Sequence, residues 1–285
     1  MQKETKKVLT LQAATYEKRL FWILCFVCPQ ICGFSEVSFI LFSPEIKQEP
    51  GDRGRLPLLR RFTGQKERKM ILKELKIDTW IGDPTNCYVI FDEESKEIMC
   101  IDPAGDVDKI EDLIKNVFKG NLKYIYLTHC HGDHIAGVNE LKRRCGGKIL
   151  IHRIDSEGLN NVDINLSEYI GLPDIELEAD SRIDDGDLIH LGNLEFKVIH
   201  TPGHTKGGTS LYCKEEQCLF SGDTLFRGTW GRTDLPTSSL EDIMESITKK
   251  LMILPEETIV YPGHGKATMI KEEKPIYLEL KPKLW

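Results

Sequence analysis

The sequence predicts an α/β fold in which two mixed β-sheets pack together with helices outside. From residue 70 onward, short apolar runs alternate with stretches of helical periodicity, the pattern of an α/β domain. Strand-like runs crowd both ends of that region, and "GTSLYCKEEQCLFSGD" reads as a hairpin, so antiparallel pairs are expected beside parallel ones. No G-x-G-x-x-G or P-loop pattern follows a strand, which leaves a doubly wound nucleotide-binding sheet without support.

Strands are expected at 70–77, 86–91, 97–101, 123–127 and 148–152, then at 188–191, 194–200, 208–213, 217–221 and 258–261. A helix fits 107–118, where Val107, Ile110, Ile114 and Val117 recur at helical spacing. A second fits 134–146 and is stopped by Gly146-Gly147. A third fits 238–254, with Ser238 or Ser239 as N-cap and acidic residues in its first turn. Residues 153–180 are less periodic and read as a helix plus a variable loop on the substrate side.

Residues 1–69 differ in kind. They carry 13 Lys+Arg against 7 Asp+Glu, whereas the remainder carries 25 against 38. The apolar run at 20–42 is interrupted by Pro29, Gln30 and Glu36, so it reads at most as a weak membrane-associated segment. The Pro-, Gly- and charge-rich stretch after it reads as linker. Gln65 to Lys69 can all be written in purine-rich codons, which suits a ribosome-binding site and makes Met70 a natural start. The expected organisation is a poorly structured extension, 1–69, and one folded domain, 70–285.

A net charge of −7 argues against a nucleic-acid binder. Of nine cysteines, an odd number, six are scattered through predicted strands and turns and Cys25, Cys28 and Cys32 lie in the N-terminal apolar run, which suits reduced thiols in a cytoplasmic setting better than a disulfide scaffold.

"THCHGDH" places three of the chain's eight histidines and one aspartate within His129 to His134. The run "KYIYL" before it is a strand, so His129 and His131 leave its end pointing to one side. Gly132 is read as permitting a tight turn, and Asp133 and His134 open the next helix. Three later strands end the same way: "PGHT" presents His204, "SGDT" presents Asp223 and "PGHG" presents His264. His129, His131 and His204 make one three-ligand set, Asp133, His134 and His264 a second, and Asp223 is free to bridge. Seven ligands exceed what one catalytic zinc takes and suit two divalent ions roughly 3.5–4 Å apart. Nitrogen and oxygen donors fit zinc first, with iron or manganese also accommodated. His152, His190 and His200 are given no role.

These motifs, in this order over 70–285, resemble the metallo-β-lactamase superfamily. "SGDTLFRGTWGRTDLP" followed by "YPGHG" is similar to its glyoxalase II-like branch, particularly the short members. The resemblance implies an αβ/βα four-layer sandwich with a dinuclear site at one edge and the seven residues above as ligands. Only 21 residues follow His264, too few for the helical domain that binds glutathione in full-length glyoxalase II. The expected activity is hydrolysis of a thioester or similar small acyl compound by a hydroxide bridging two metal ions. Asp133 would hold metal and orient that hydroxide, and Asp223 would bridge. Arg227, Arg232 and Lys206 are candidates for anionic substrate groups, with Asp234 a possible ion-pair partner of Arg232. The rival readings are a mononuclear iron persulfide dioxygenase using His129, His204 and Asp223, a lactonase, and a non-catalytic metal-binding protein.

Overall fold

A computed structural model describes residues 70–79, 84–172 and 175–280. The expectations for residues 1–69, as linker, upstream sequence or membrane-associated segment, lie outside the described residues.

The first sheet contains β1 (Met70–Ile77), β2 (Thr85–Asp92), β3 (Glu97–Ile101), β4 (Asn121–Tyr126), β5 (Lys148–His152) and β6 (Ser181–Ile183), neighbours in that order. β1 to β3 pair antiparallel and β3 to β6 parallel. The second contains β7 (Leu188–Leu191), β8 (Leu194–His200), β9 (Thr209–Cys213) and β10 (Cys218–Gly222). After a small hairpin of β11 (Leu225–Phe226) and β12 (Thr229–Trp230), β13 (Ile259–Pro262) and β14 (Thr268–Met269) complete it. Its spatial order is β14-β13-β10-β9-β8-β7. Only the β10–β13 pairing in it is parallel.

The layers follow from the period-two alternation of strand side chains. On β2, Tyr88 and Ile90 face the second sheet, where they meet Phe196, Val198, Leu211 and Phe220. Cys87, Val89 and Phe91 face the opposite way, towards Ile110, Ile114, Val138 and Leu141 of the helices. On the far side of the second sheet, Tyr212, Leu219 and Val260 pack against Ile243, Ile247, Ile270 and Tyr277. Each such side chain contributes about 1.5–3 kcal/mol when fully buried. Two mixed sheets flanked by helices on both outer faces are therefore the observed architecture, as expected.

Helices differ from the sequence reading in instructive ways. α1 (Val107–Asp112) continues as a π-helical turn, Leu113–Phe118. The wider turn shifts the inward position by one residue, so Phe118 is buried and Val117 is 55% exposed. The expected helix 134–146 is two helices, α2 (Gly132–Ile135) and α3 (Val138–Cys145). They break at Gly137, whose N–H donates to the Pro103 carbonyl at 2.8 Å. A Cβ at Gly137 would lie 2.6 Å from that oxygen. The stretch 153–180 holds α4 (Val162–Asn165) and two single turns, Asp155–Glu157 and Glu168–Ile170. α5 (Leu240–Glu245) is capped by Ser239, whose side chain accepts from Asp242 N, and continues as a π-helical turn, Ser246–Leu251. α6 (Ile270–Leu280) was hidden by Pro275, which reads as a breaker but sits within the helix.

Candidate metal centre

β4, β8, β10 and β13 carry their carboxyl ends to one rim of the sandwich, and each delivers residues there. β4 leads to His129 and His131, and the first turn of α2 adds Asp133 and His134. β8 delivers His204, β10 delivers Asp223 and β13 delivers His264. All seven residues picked from the sequence meet at this point. Gly222 adopts φ 50° before Asp223, and a Cβ there would fall 2.5 Å from Thr128 Oγ1. Gly132 is a correction: its φ is not positive. It is needed for space, because a Cβ would stand 3.0 Å from the Ser167 Cα.

The ligand-type atoms of His129, His131 and His204 lie within 4.8 Å of one another, and so do those of Asp133, His134 and His264. His131 Nδ1 is 2.9 Å from His204 Nε2, and His134 Nε2 is 3.3 Å from His264 Nε2. Asp223 stands between the groups. Its Oδ2 is 3.5 Å from the Nε2 atoms of both His204 and His264, and its Oδ1 is 3.4 Å from His134 Nε2.

Hydrogen bonds fix which nitrogen of each ring faces inward. His134 donates from Nδ1 to Asp102 Oδ2 at 2.9 Å. Thr128 Oγ1 donates to the same oxygen at 2.7 Å and so accepts from His129 Nδ1 at 3.0 Å. His204 Nδ1 donates to the Arg232 carbonyl at 2.9 Å and His264 Nδ1 to the Pro84 carbonyl at 3.2 Å. Four imidazoles therefore keep their Nδ1 proton on an outer partner and turn Nε2 to the centre, the orientation that metal ligands require. Asp102 also lies close enough to His129 and His134 to suggest a third ligand group. However, donors from Thr128 N, Thr128 Oγ1 and His134 already occupy its two oxygens, which makes it an orienting residue. Sequence reasoning missed it, although "IDPAG" places it at the end of β3, the kind of position that gave the other residues.

The residues present fit divalent cations. Among the described residues, His129 Nε2, His131 Nε2 and Asp223 Oδ1 are buried with no hydrogen-bond partner, a cost of about 1–3 kcal/mol for each such polar atom. His204 Nε2, its ring proton on Nδ1, accepts from His131 Nδ1 at 2.9 Å. A cation in the cluster would satisfy the orphaned atoms. Cys130 is buried and belongs to the apolar core beneath the helices, so the donor set is nitrogen and oxygen.

Burial pushes the His129 and His131 imidazoles well below their usual range. It acts the same way on His134, but Asp223, Asp133 and Asp102 outweigh it and lift that ring to about 10. Burial likewise opposes ionisation of Asp133, yet His134 and His264 hold its carboxyl well below the usual carboxylate range. His264 is also raised, with Asp223 and Asp133 overcoming its burial. His129 and His131 thus favour the neutral ring, whereas His134 and His264 favour the charged one as long as no cation replaces the inward proton.

Two supports lie outside the cluster, and neither was read from the sequence. Asp155, buried, accepts from Cys130 N at 3.2 Å, Thr205 Oγ1 at 2.7 Å and Gly207 N at 2.6 Å. It ties the loop of His129 and His131 to the loop of His204. Glu273 of α6, also buried, accepts from Thr268 Oγ1 at 2.6 Å and from Gly228 N at 2.9 Å. Tyr277 donates to the Thr229 carbonyl at 2.8 Å. Both hold the β11–β12 hairpin, which carries Phe226 and leads to Arg232.

A cavity of about 320 Å³ opens on the cluster. Of the three expected cations only Arg232 lines it, and its guanidinium donates to both oxygens of Asp234 at 2.9 Å. His152 and His200 stack on each other instead, with centroids 4.2 Å apart.

The model of the metallo-β-lactamase superfamily matches residues 80–264. An uncharacterised protein of Aquifex aeolicus is 38% identical over 190 residues, covering 66% of this chain and 88% of that protein. The hydroxyacylglutathione hydrolase GloC of Haemophilus influenzae is 34% identical over 191 residues, covering 66% and 89%. Among solved structures, the B3 metallo-β-lactamase BLEG-1 is 32% identical with a TM-score of 0.66, covering 72% of this chain and 97% of that one. TTHA1623 in a di-iron-bound form is 30% identical with a TM-score of 0.61, covering 70% and 96%. The strand-end cluster, the two mixed sheets and these matches agree: the chain belongs to the metallo-β-lactamase superfamily.

Proposed function

We propose that the protein is a metallo-hydrolase that cleaves a thioester of a small acyl compound at a two-cation site. The observation that carries the reading is Asp223, whose carboxylate faces His204 on one side and His134 and His264 on the other. A similarity to a hydroxyacylglutathione hydrolase supports the choice of thioester.

In this reading His129, His131 and His204 would hold one divalent cation and Asp133, His134 and His264 the other, with the Asp223 carboxylate facing both sets. Divalent cations held there supply Lewis acidity and lower the pKa of water towards neutrality. Asp102 and Thr128 hold the Nδ1 sides of His134 and His129, which turns their Nε2 atoms to where a cation would displace any proton. Asp133, 3.3 Å from His264 Nε2, is half-buried on the cavity wall, where its carboxylate can orient the attacking oxygen. Zinc, iron and manganese all suit these donors. Among the described residues no helix is long and apolar enough to cross a membrane. The six described cysteines are free thiols, which supports a reducing, cytoplasmic setting.

The test compares metal-loaded wild type with Asp223→Ala on a panel of acyl thioesters. The expected result is hydrolysis by the wild type and a rate at background for the variant. A variant that keeps its rate overturns the reading. A dioxygenase is the second reading, favoured by His129, His204 and Asp223 as a two-histidine, one-carboxylate set beside the "GRTD" turn at 231–234. It leaves Asp133, His134 and His264 without a task.

A further inference from the structure

We propose that the cavity selects substrates by an apolar acyl group and draws little binding from the thiol half. Acyl compounds of small neutral thiols should then be cleaved as readily as glutathione thioesters. This deepens, and rests on, the hydrolase reading above.

The cavity has two unlike walls. The metal-ligand side chains form one, and Leu166, Tyr169, Ile170, Phe226 and Leu235 form most of the other. The apolar wall comes from three separate places: the turns after α4, the β11–β12 hairpin, and the loop beyond Arg232. The Phe226 ring stands edge-on to His264, with centroids 6.1 Å apart, so apolar surface begins next to the reacting end. Tyr169 is 73% exposed and marks the mouth.

Charge recognition is weak by comparison. Glutathione brings two carboxylates and an ammonium, and holding them calls for several converging charged groups. Among the described lining residues Arg232 is the one lysine or arginine. It forms a two-point pair with Asp234, and both side chains are exposed. That pair is neutral as a unit, and exposed pairs contribute little. Apolar contact, by contrast, is worth about fourfold in affinity for each methylene removed from water.

The experiment uses full-length, metal-loaded protein with acetyl, butanoyl and hexanoyl thioesters, each on glutathione and on N-acetylcysteamine, together with lactoylglutathione. The expected kcat/KM rises roughly fourfold per methylene, while changing the thiol at a fixed acyl group alters it less than about threefold. Leu235→Asn and Ile170→Asn should flatten the chain-length dependence. A tenfold or greater preference for glutathione at matched acyl groups overturns the proposal, as does a flat chain-length series in the wild type. If none of the thioesters is cleaved, the hydrolase reading fails on its own. Calorimetry with hexanoate and lactate still decides the apolar pocket: tighter hexanoate supports it, and equal or tighter lactate overturns it.

Discussion

Asp102 Oδ2 lies 2.9 Å from His134 Nδ1, and the same oxygen accepts the Thr128 hydroxyl that steadies His129. One carboxylate at the end of β3 therefore orients a histidine in each half of the cluster. Asp102 has φ 49°, a left-handed backbone that Asn tolerates, so Asp102→Asn isolates the hydrogen bonding. The variant should bind divalent metal roughly 10–100-fold more weakly, measured by competition with a chromophoric chelator. Unchanged affinity would show that the rings hold their orientation without it.

Asp155 is the tie between two ligand loops. Removing its carboxylate leaves the N–H groups of Cys130 and Gly207 buried without an acceptor. Asp155→Ala should lose about 2–6 kcal/mol of unfolding free energy, from about 1–3 kcal/mol for each of the two orphaned groups. Denaturant titration of the metal-free protein reads this directly, and a loss below about 0.5 kcal/mol would contradict the account.

Glu273 and Tyr277 act from α6 on the hairpin that shapes the cavity. Glu273→Gln keeps an acceptor oxygen and Glu273→Ala does not. The Ala variant should raise KM more than it lowers kcat, at unchanged metal content, with Gln restoring most of the effect. An equal fall in kcat and loss of metal would mean that the helix supports the metal centre itself.

His152, buried and stacked on His200, is depressed to about 4 by burial and then by the neighbouring ring, against 6.5 for an ordinary histidine. Between those values the unfolded chain binds a proton that the fold excludes. Its contribution to stability is therefore complete above about pH 6.5 and is lost as pH falls towards 4. His152→Phe keeps a flat ring against His200 and removes the titration. Unfolding free energies measured across this range should fall less steeply with acid in the variant, and identical slopes would refute the assignment.

The seven residues that the structure brings together were legible in the sequence because each follows a strand and a small-residue turn, a local signal. The long strands were legible from their composition: β8 alternates buried and exposed residues, whereas β2 and β3, covered on both faces, read as short continuous apolar runs. β6, β11, β12 and β14 have only two or three residues each and carry no period to read. α6 was masked by Pro275. Asp102, Asp155 and Glu273 escaped because their importance lies in long-range partners: Asp102 meets His134 across 32 positions and Glu273 meets Gly228 across 45. Gly132 was recognised as necessary for the wrong reason, because close packing against Ser167 leaves no mark on the local sequence. Val117 was placed inside because a regular helix was assumed through a π-helical turn.

The central claim is that the seven residues hold two cations for hydrolysis. Metal-free protein titrated anaerobically with Zn²⁺, and separately with Fe²⁺, should take up two ions per chain by elemental analysis, with thioester hydrolysis appearing as the second ion binds. One iron per chain, together with oxygen uptake on glutathione persulfide and no thioester hydrolysis, would contradict it.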